Sequence, residues 1–335
     1  MAELFIELFS EEIPSNLQTD IREKIKKNLE ENLKKKEINF KLSQSFSTPK
    51  RLVILINGIP EKIEQQPKII KGPKIEAPET AIEGFIKSNN LSKSNIFKKK
   101  IDKGTFYFAK TKPKIIDIFK ELQTIIPETL GSYSWKKSMK WSTYDLSWGR
   151  PLKSIVALFN NKIVDFNFYH LKSGNLTLID STNDEKIKKV NNFKTYLKIL
   201  NSENIVLDQK KRKDIIIKKM NSLCNYKKIK NNFNEKLIEE VVNLVEKPNI
   251  ILCKFNEIYL KIPHEILIVT MQQHQKYFPL FDSANKLTNL FLLVANLKDE
   301  KGYIKKGNER VIEARLADAK FFWEKNKNQS LVKQV

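Results

Sequence analysis

The alternation of apolar and polar positions breaks the chain into short strands and amphipathic helices. Residues 3–9 read as a strand in which Leu4, Ile6 and Leu8 alternate with Phe5, Glu7 and Phe9. Both faces are therefore expected to be buried, and Glu7 needs a partner there. Ser15 and Gln18 have the spacing of a capping box, and Leu17, Ile21, Ile25, Leu29 and Leu33 recur every four residues as the stripe of the following helix. The apolar run from Arg51 to Ile56, closed by Asn57-Gly58, predicts the next strand, so the first sixty residues read as a β-α-β unit. Residues 59–80, rich in Pro, Lys and Glu, read as a linker or surface loop. A helix is expected near 80–89, a strand over 104–110 entered through Asp102-Lys103-Gly104, and a helix over 114–126.

Farther along, Ser154–Phe159 and Lys162–Phe166 flank Asn160-Asn161, a hairpin signature. Residues 191–246 read as helical. Asp208 caps a helix carrying Ile215, Ile216, Met220 and Leu223, and a second helix with Leu237, Val241, Leu244 and Val245 stops before Pro248. Strands are expected at 249–254 and 258–262, a hairpin joining Tyr277–Phe281 to Leu290–Ala295, and a final helix from about 308. This order of elements predicts an α+β protein and not a doubly wound parallel sheet.

Composition adds a partner class. The 335 residues carry a formal net charge of +22, a field that favours a polyanion, although abundant Lys, Ile and Asn also fit AT-biased coding. Against that lysine background the few arginines, Arg22, Arg51, Arg150, Arg212, Arg310 and Arg315, carry more information, because a guanidinium offers a planar fork that an ammonium lacks. Hydrophobic residues make up 41%, enough for real cores, and no apolar run is long enough to span a membrane. No basic segment followed by an apolar stretch opens the chain, so a secretory signal is not expected. Cys224 and Cys253 lack metal-site spacing and read as buried free thiols of a reducing cytosol.

The search for chemistry removes several classes. The sequence has no P-loop pattern, no G-x-G-x-x-G and no G-x-S-x-G elbow. His264-Glu265 begins a zincin pattern that fails at Ile268. Lys137-Ser138-Met139-Lys140 is out of order for a class I synthetase loop. Five segments remain. Glu7 to Pro14 crowds three carboxylates at a strand-to-helix turn, where Glu11 and Glu12 favour a helix N-terminus and Glu7 has the option of a basic partner. In Thr48-Pro49-Lys50-Arg51, Lys50 and Arg51 alternate, so at most one points into the core; it pairs with Glu7, sits at the strand edge, or contacts phosphate. Met139-Lys140-Trp141 and Trp148-Gly149-Arg150-Pro151 interleave aromatics with cations, as core anchors or as a stacking surface. Thr270 to Pro279, with His274 and Lys276, is a dense polar run before a hairpin. Gly307 to Phe322 places Arg310, Arg315 and Asp318 along one helix, as a solvated ladder or a contact surface.

Read together, these segments resemble the β subunit family of the bacterial heterotetrameric glycyl-tRNA synthetase. The resemblance runs in order through Glu7–Pro14, Thr48–Leu52, Lys71-Gly72-Pro73, Ala81–Phe85, Asp102-Lys103-Gly104, Met139-Lys140-Trp141, Arg150-Pro151, Val245–Pro248, Thr270–Pro279, Val294-Ala295-Asn296, Gly307–Val311 and Arg315–Phe322. It departs after Ser173–Thr177, where the family's G-H-R-F is replaced by Leu178-Ile179-Asp180. The resemblance implies the N-terminal half of a longer chain. It divides that half into an α+β lobe over 1–135, a domain over 136–305 similar to the editing-type module of the phenylalanyl-tRNA synthetase β subunit, and a helix over 306–335 leading to a helical region. It further implies a cytoplasmic protein that assembles with the catalytic α subunit as α2β2 and contributes recognition of tRNA(Gly). ATP and Mg are then used by the α subunit and none is bound by this segment. The residues it nominates for tRNA contact or structure are Lys50, Arg51, Lys140, Trp141, Arg150, His274, Lys276, Arg310 and Arg315, with no catalytic residue. The alternative is an editing-type hydrolase acting on mischarged tRNA, with His274 or Asp318 in acid–base roles.

Overall fold

The computed structural model describes residues 2–327 apart from 66, 90, 102–103, 112–113 and 181–184. The N-terminal region is built on strand β1 (Ala2–Ser10), helix α1 (Ser15–Lys35), β2 (Leu42–Thr48) and β3 (Arg51–Ile59). β2 was not anticipated, and it turns the expected β-α-β unit into an antiparallel arrangement: β1 pairs with β3, and β3 with β2. Its polar sequence, LSQSFST, explains the miss: the buried positions are Ser45, Ser47 and Thr48, none of them apolar. The capping box also fails. Pro14 precedes α1 without a side-chain cap, and buried Gln18 instead donates to the carbonyls of Ile13 and Asn243.

The expected linker is partly ordered as strand. β4 (Lys62–Gln65) leads to β5 (Ile69–Lys74), helix α2 (Glu79–Ser88), β6 (Ile96–Ile101), β7 (Gly104–Lys110) and β8 (Lys114–Asp117). β4 pairs with β8 as a neck, and the excursion carries its own antiparallel sheet in the order β5-β7-β6. Asp102 and Lys103, the expected entry to β7, lie outside the described residues. Helix α3 (Ile118–Gly131) begins four residues later than predicted, where Asp117 accepts from the Phe119 amide.

The chain then returns to the first sheet. β9 (Leu152–Phe159) lies beside β1, followed by the short strands β10 (Lys162–Ile163), β11 (Asn167–Phe168) and β12 (Leu171–Gly174). Residues on either side of position 135 therefore share one sheet, ordered β11-β12-β9-β1-β3-β2 with β10 beside β9. The Asn160-Asn161 hairpin forms with both residues at positive φ, as the primed turn requires. Its second strand stops at Ile163 instead of reaching Phe166. One face of the sheet, with Leu4, Ile6 and Leu8, packs with Ile21, Ile25, Leu29 and Leu33 of α1 and the apolar side of α3. The other, with Phe5, Val53, Leu55, Val156 and Leu158, packs with Tyr196 and Leu200 of helix α4 (Phe193–Ser202), which follows the hairpin β13 (Leu176–Asp180) and β14 (Glu185–Lys189). Both faces of β1 are thus covered, as its pattern implied.

The remaining elements are α5 (Gln209–Lys227), β15 (Lys230–Asn231), α6 (Glu235–Val242), β16 (Asn249–Lys254), α7 (His264–Val269), β17 (Phe278–Phe281), β18 (Leu287–Ala295) and α8 (Tyr303–Lys327). Asp208 caps α5 as expected, accepting from the amides of Lys210 and Lys211. The strand expected at 258–262 is a single 3-10 turn over Glu257–Lys261, started by the Asn256 side chain. A four-stranded sheet, β15-β17-β18-β16, is sandwiched by α5 and α6 on one side and by α7, a π turn at Thr270–His274 and α8 on the other. Among the described residues no helix is long and apolar enough to cross a membrane.

Candidate functional site

The alternation that buries Phe5 and Phe9 also buries Glu7, and the register of β1 on β3 decides what meets it. Glu7 stands opposite Val53, and Arg51 opposite Phe9, so Glu7 and Arg51 are diagonal neighbours on one face. Both side chains are fully buried, with Arg51 Nε 3.3 Å from Glu7 Oε1. The Arg51 guanidinium lies 4.8 Å from the centre of the Phe9 ring. Its Nη1 donates to Glu246 Oε2 at 2.7 Å and its Nη2 to the Leu178 carbonyl at 2.6 Å. Tyr196 of α4 completes the node, its hydroxyl donating to Glu7 Oε1 at 2.6 Å.

Burial pushes the Glu7 carboxyl up from its ordinary value, and Arg51 and the Tyr196 hydroxyl pull it part of the way back. Burial also works against the charge on Arg51, but Glu246 leads the groups that outweigh it and hold the guanidinium above its ordinary value. Tyr196 is raised well above a free phenol, first by burial and then by the neighbouring Glu7 charge.

A second buried guanidinium stands nearby. Arg212 of α5 donates Nε to the Val242 carbonyl at 2.7 Å, Nη1 to those of Val206 and Leu207, and Nη2 to that of Ser47 at 2.8 Å. Burial lowers it to about 10, so it remains a cation at neutral pH. Its partners are carbonyls at the ends of α6, β2 and the segment before α5, which makes it a clamp between the two sheets. Asn296 tightens the same junction, its Oδ1 accepting from the amides of Glu246 and Lys247 at 2.9 Å.

The other nominated residues are dispersed. Lys50 is half-buried in the β2–β3 turn, where its amide donates to Thr48 Oγ1 and its carbonyl accepts from the Ser10 amide. Lys140 is exposed, 3.9 Å from Asp145. Trp141 packs on the core edge and meets His170 edge-on, while Tyr144 stacks on that imidazole with ring centres 3.6 Å apart. Trp148 is a buried core anchor. The neighbouring Gly149 admits the Trp135 ring so closely that a Cβ would fall 2.0 Å from it. Arg150 donates to the Gly149 carbonyl. His274 is exposed at the end of the π turn; Lys276, at positive φ, pairs with Glu240 at 2.9 Å. Arg310 and Arg315 are exposed on α8 and, among the described residues, make no hydrogen bond or ion pair. No hydrogen bond joins His274 to Asp318.

The structure therefore brings together Glu7 and Arg51 from the sequence reading and adds Glu246, Tyr196, Arg212 and Asn296, which that reading did not place. The rarity of arginine flagged Arg212, and Val245–Pro248 flagged Glu246, but nothing local to Tyr196 marked it. Among the described residues the node is closed to solvent: Glu7, Arg51, Tyr196 and Glu246 are all buried, with the Phe9 ring against the guanidinium. What it can do is hold strands, helices and both sheets in one arrangement. Above it, Arg22, Lys210, Lys213 and Lys236 line a cleft between α1, α5 and α6, together with Glu239 and Glu240.

The family model described as glycyl-tRNA synthetase beta subunit matches residues 4–335. The glycine–tRNA ligase beta subunit of Rickettsia peacockii (strain Rustic) is 37% identical over 323 residues, covering 96% of this chain and 48% of that protein. That of Rickettsia bellii (strain OSU 85-389) is 36% identical over 332 residues, covering 99% of this chain and 50% of its own. The chain spans about half the length of the curated relatives it matches. With a match over nearly its whole length, this chain belongs to the glycyl-tRNA synthetase beta subunit family.

Proposed function

We propose that this chain serves as the β subunit of a glycyl-tRNA synthetase, required with a catalytic α subunit for the ATP-dependent attachment of glycine to tRNA(Gly). In this reading the assembly is an α2β2 heterotetramer in the cytoplasm. ATP and Mg act on the α subunit, and this chain contributes tRNA recognition and subunit assembly. The observation that carries it is where the family motifs go. Glu7, Arg51, Glu246, Asn296 and Gly149 are spent on holding the fold, while the net charge of +22 is presented largely by lysines on the outside. A rigid frame beneath a basic exterior suits a subunit that positions RNA for chemistry performed elsewhere. The likeness of residues 136–305 to the editing-type module of the phenylalanyl-tRNA synthetase β subunit belongs to the same reading, supported by the order of the motifs.

The test is glycylation of tRNA by the α subunit with and without the β chain, beside tRNA binding measured across a salt series. The expected result is that charging needs the β chain and that affinity falls steeply with salt. Full charging by the α subunit alone would overturn the proposal.

A further inference from the structure

The excursion beyond the β4–β8 neck has a surface that the frame does not use. Its strands β5, β6 and β7 carry six lysines and no carboxylate. Register sorts these residues by face. Phe108 stands between Lys71 and Phe97, Phe106 between Lys74 and Lys99, and Lys110 beside Ile69. All of these side chains therefore project from one face of the sheet, because directly opposed residues share a face.

That face is open. Ile69 is 63% exposed and Phe97 40% exposed, whereas Ala109, pointing the other way, is fully buried. Helix α2 lies against β5, with Phe85 so near Gly72 that a Cβ there would sit 2.7 Å from its ring. Phe97 and Phe108 stack with centroids 6.1 Å apart. The ammonium of Lys71 rests 3.7 Å from the centre of the Phe106 ring, and that of Lys99 lies 5.9 Å from Phe108.

We infer that this face is a docking surface for single-stranded RNA, with unpaired bases stacking on Phe97 and Phe108 and phosphates neutralised by Lys71, Lys74, Lys99 and Lys110. It rests on the RNA-facing role proposed above and names the part of the chain that meets unpaired nucleotides. Charge complementarity chooses the partner: strands that carry cations and no carboxylate match a polyanion. The aromatic rings on a central strand then favour one with exposed π faces over a duplex or an acidic protein. Lys99 lies beside the Phe108 ring and Lys71 covers the neighbouring Phe106, which leaves the Phe97 ring, among the described residues, without an ammonium over it. A base on Phe108 has Lys99 and the cross-strand neighbour Lys71 beside it for the adjoining phosphates, so stacking and neutralisation are made by neighbouring side chains.

The experiment uses the full chain and a fluorescent unpaired RNA of ~12 nucleotides, a length within the range of known single-strand sites. Phe97→Ala and Phe108→Ala are expected to weaken binding by about tenfold or more, as loss of base stacking does, and Phe97→Tyr to restore it. Lys71→Gln and Lys99→Gln should each lower the slope of log affinity against log salt by about 0.7. Phe97 is exposed, so its variant keeps the melting temperature of the parent and separates binding from folding. Unchanged affinity in Phe97→Ala and Phe108→Ala, or competition by a duplex or by polyglutamate equal to that of the unpaired RNA, would overturn the assignment. Charging that still depends on the β chain when these variants bind normally would dismiss this surface alone. Charging independent of the β chain would dismiss the wider role instead.

Discussion

Arg51 and Glu246 are 195 residues apart in sequence and 2.7 Å apart in space, both sealed from solvent. The contact joins a strand of the first sheet to the segment that links α6 to β16, so it holds the two sheets in one arrangement. Glu7 and the Leu178 carbonyl meet the same guanidinium, and Tyr196 holds Glu7 in place through its hydroxyl. Removing that cation would leave two buried carboxylates without their charge partner.

Arg51→Ala is therefore expected to cost about 3–5 kcal/mol, the range for breaking a buried pair by deleting one partner. Arg51→Lys should recover little of it, since one ammonium cannot reproduce a fork that reaches Glu246 and the Leu178 carbonyl together. Urea unfolding of both variants beside Glu246→Gln and the double variant measures this. Additive losses from Arg51→Ala and Glu246→Gln would show that the two side chains do not act as a pair.

Arg212 makes a different prediction because its partners are backbone carbonyls. Arg212→Met keeps much of the side-chain length and removes every donor. Hydrogen bonds to charged groups contribute about 1.5–3 kcal/mol each, and those lost here share one group, so a loss of about 3 kcal/mol or more is expected. Hydrogen exchange should show the amides around Val206 and Val242 opening together. Protection unchanged at those positions would mean that the clamp is not holding them.

Much of this frame could be read from the chain because it follows from period and spacing. The four-residue stripe of α1, the Asn160-Asn161 turn and the Asp208 cap are local patterns, and all form. Glu7 on a doubly buried strand announced the need for a partner, and Arg51 was within reach by register. The failures are non-local. β2 is polar enough to look like a loop until β3 lies beside it. Gln18 leaves the capping box for the Asn243 carbonyl, 225 residues away, which no pattern around Ser15 could indicate. Tyr196 is one aromatic of an amphipathic helix until the fold sets its hydroxyl on Glu7. The nominated surface cations Lys140, Arg310 and Arg315 could be named as charged positions, but spacing along the chain does not say which of them share a surface.

Exposure gives Arg310 and Arg315 a separable role. Both are exposed and, among the described residues, make no hydrogen bond or ion pair, so Arg315→Ala should change stability by no more than about 0.5 kcal/mol. If α8 meets tRNA phosphates, the same change weakens tRNA binding a few-fold and lessens its salt dependence, with no effect on melting. A drop in melting temperature without a change in binding would assign the residue to packing instead.

The second sheet carries a pH dependence of its own. Burial, reinforced by Glu309 and Asp299, pushes the Cys253 thiol from its ordinary 9.0 up to about 12, and burial raises Tyr277 from 10.0 to about 12. Both groups are acids whose neutral form the fold favours. Their contribution is complete below the unfolded values, and it is lost as pH rises from about 9 toward 12, because the unfolded chain ionises first. Urea midpoints should accordingly hold steady to pH 8.5 and decline through pH 10.5, and Cys253→Ala should flatten part of that decline. Native protein at pH 8 should also resist thiol alkylation at Cys253 until denaturant is added, since the side chain is both protonated and inaccessible. Rapid alkylation without denaturant would place that sulfur outside the core formed with Phe291 and Leu316.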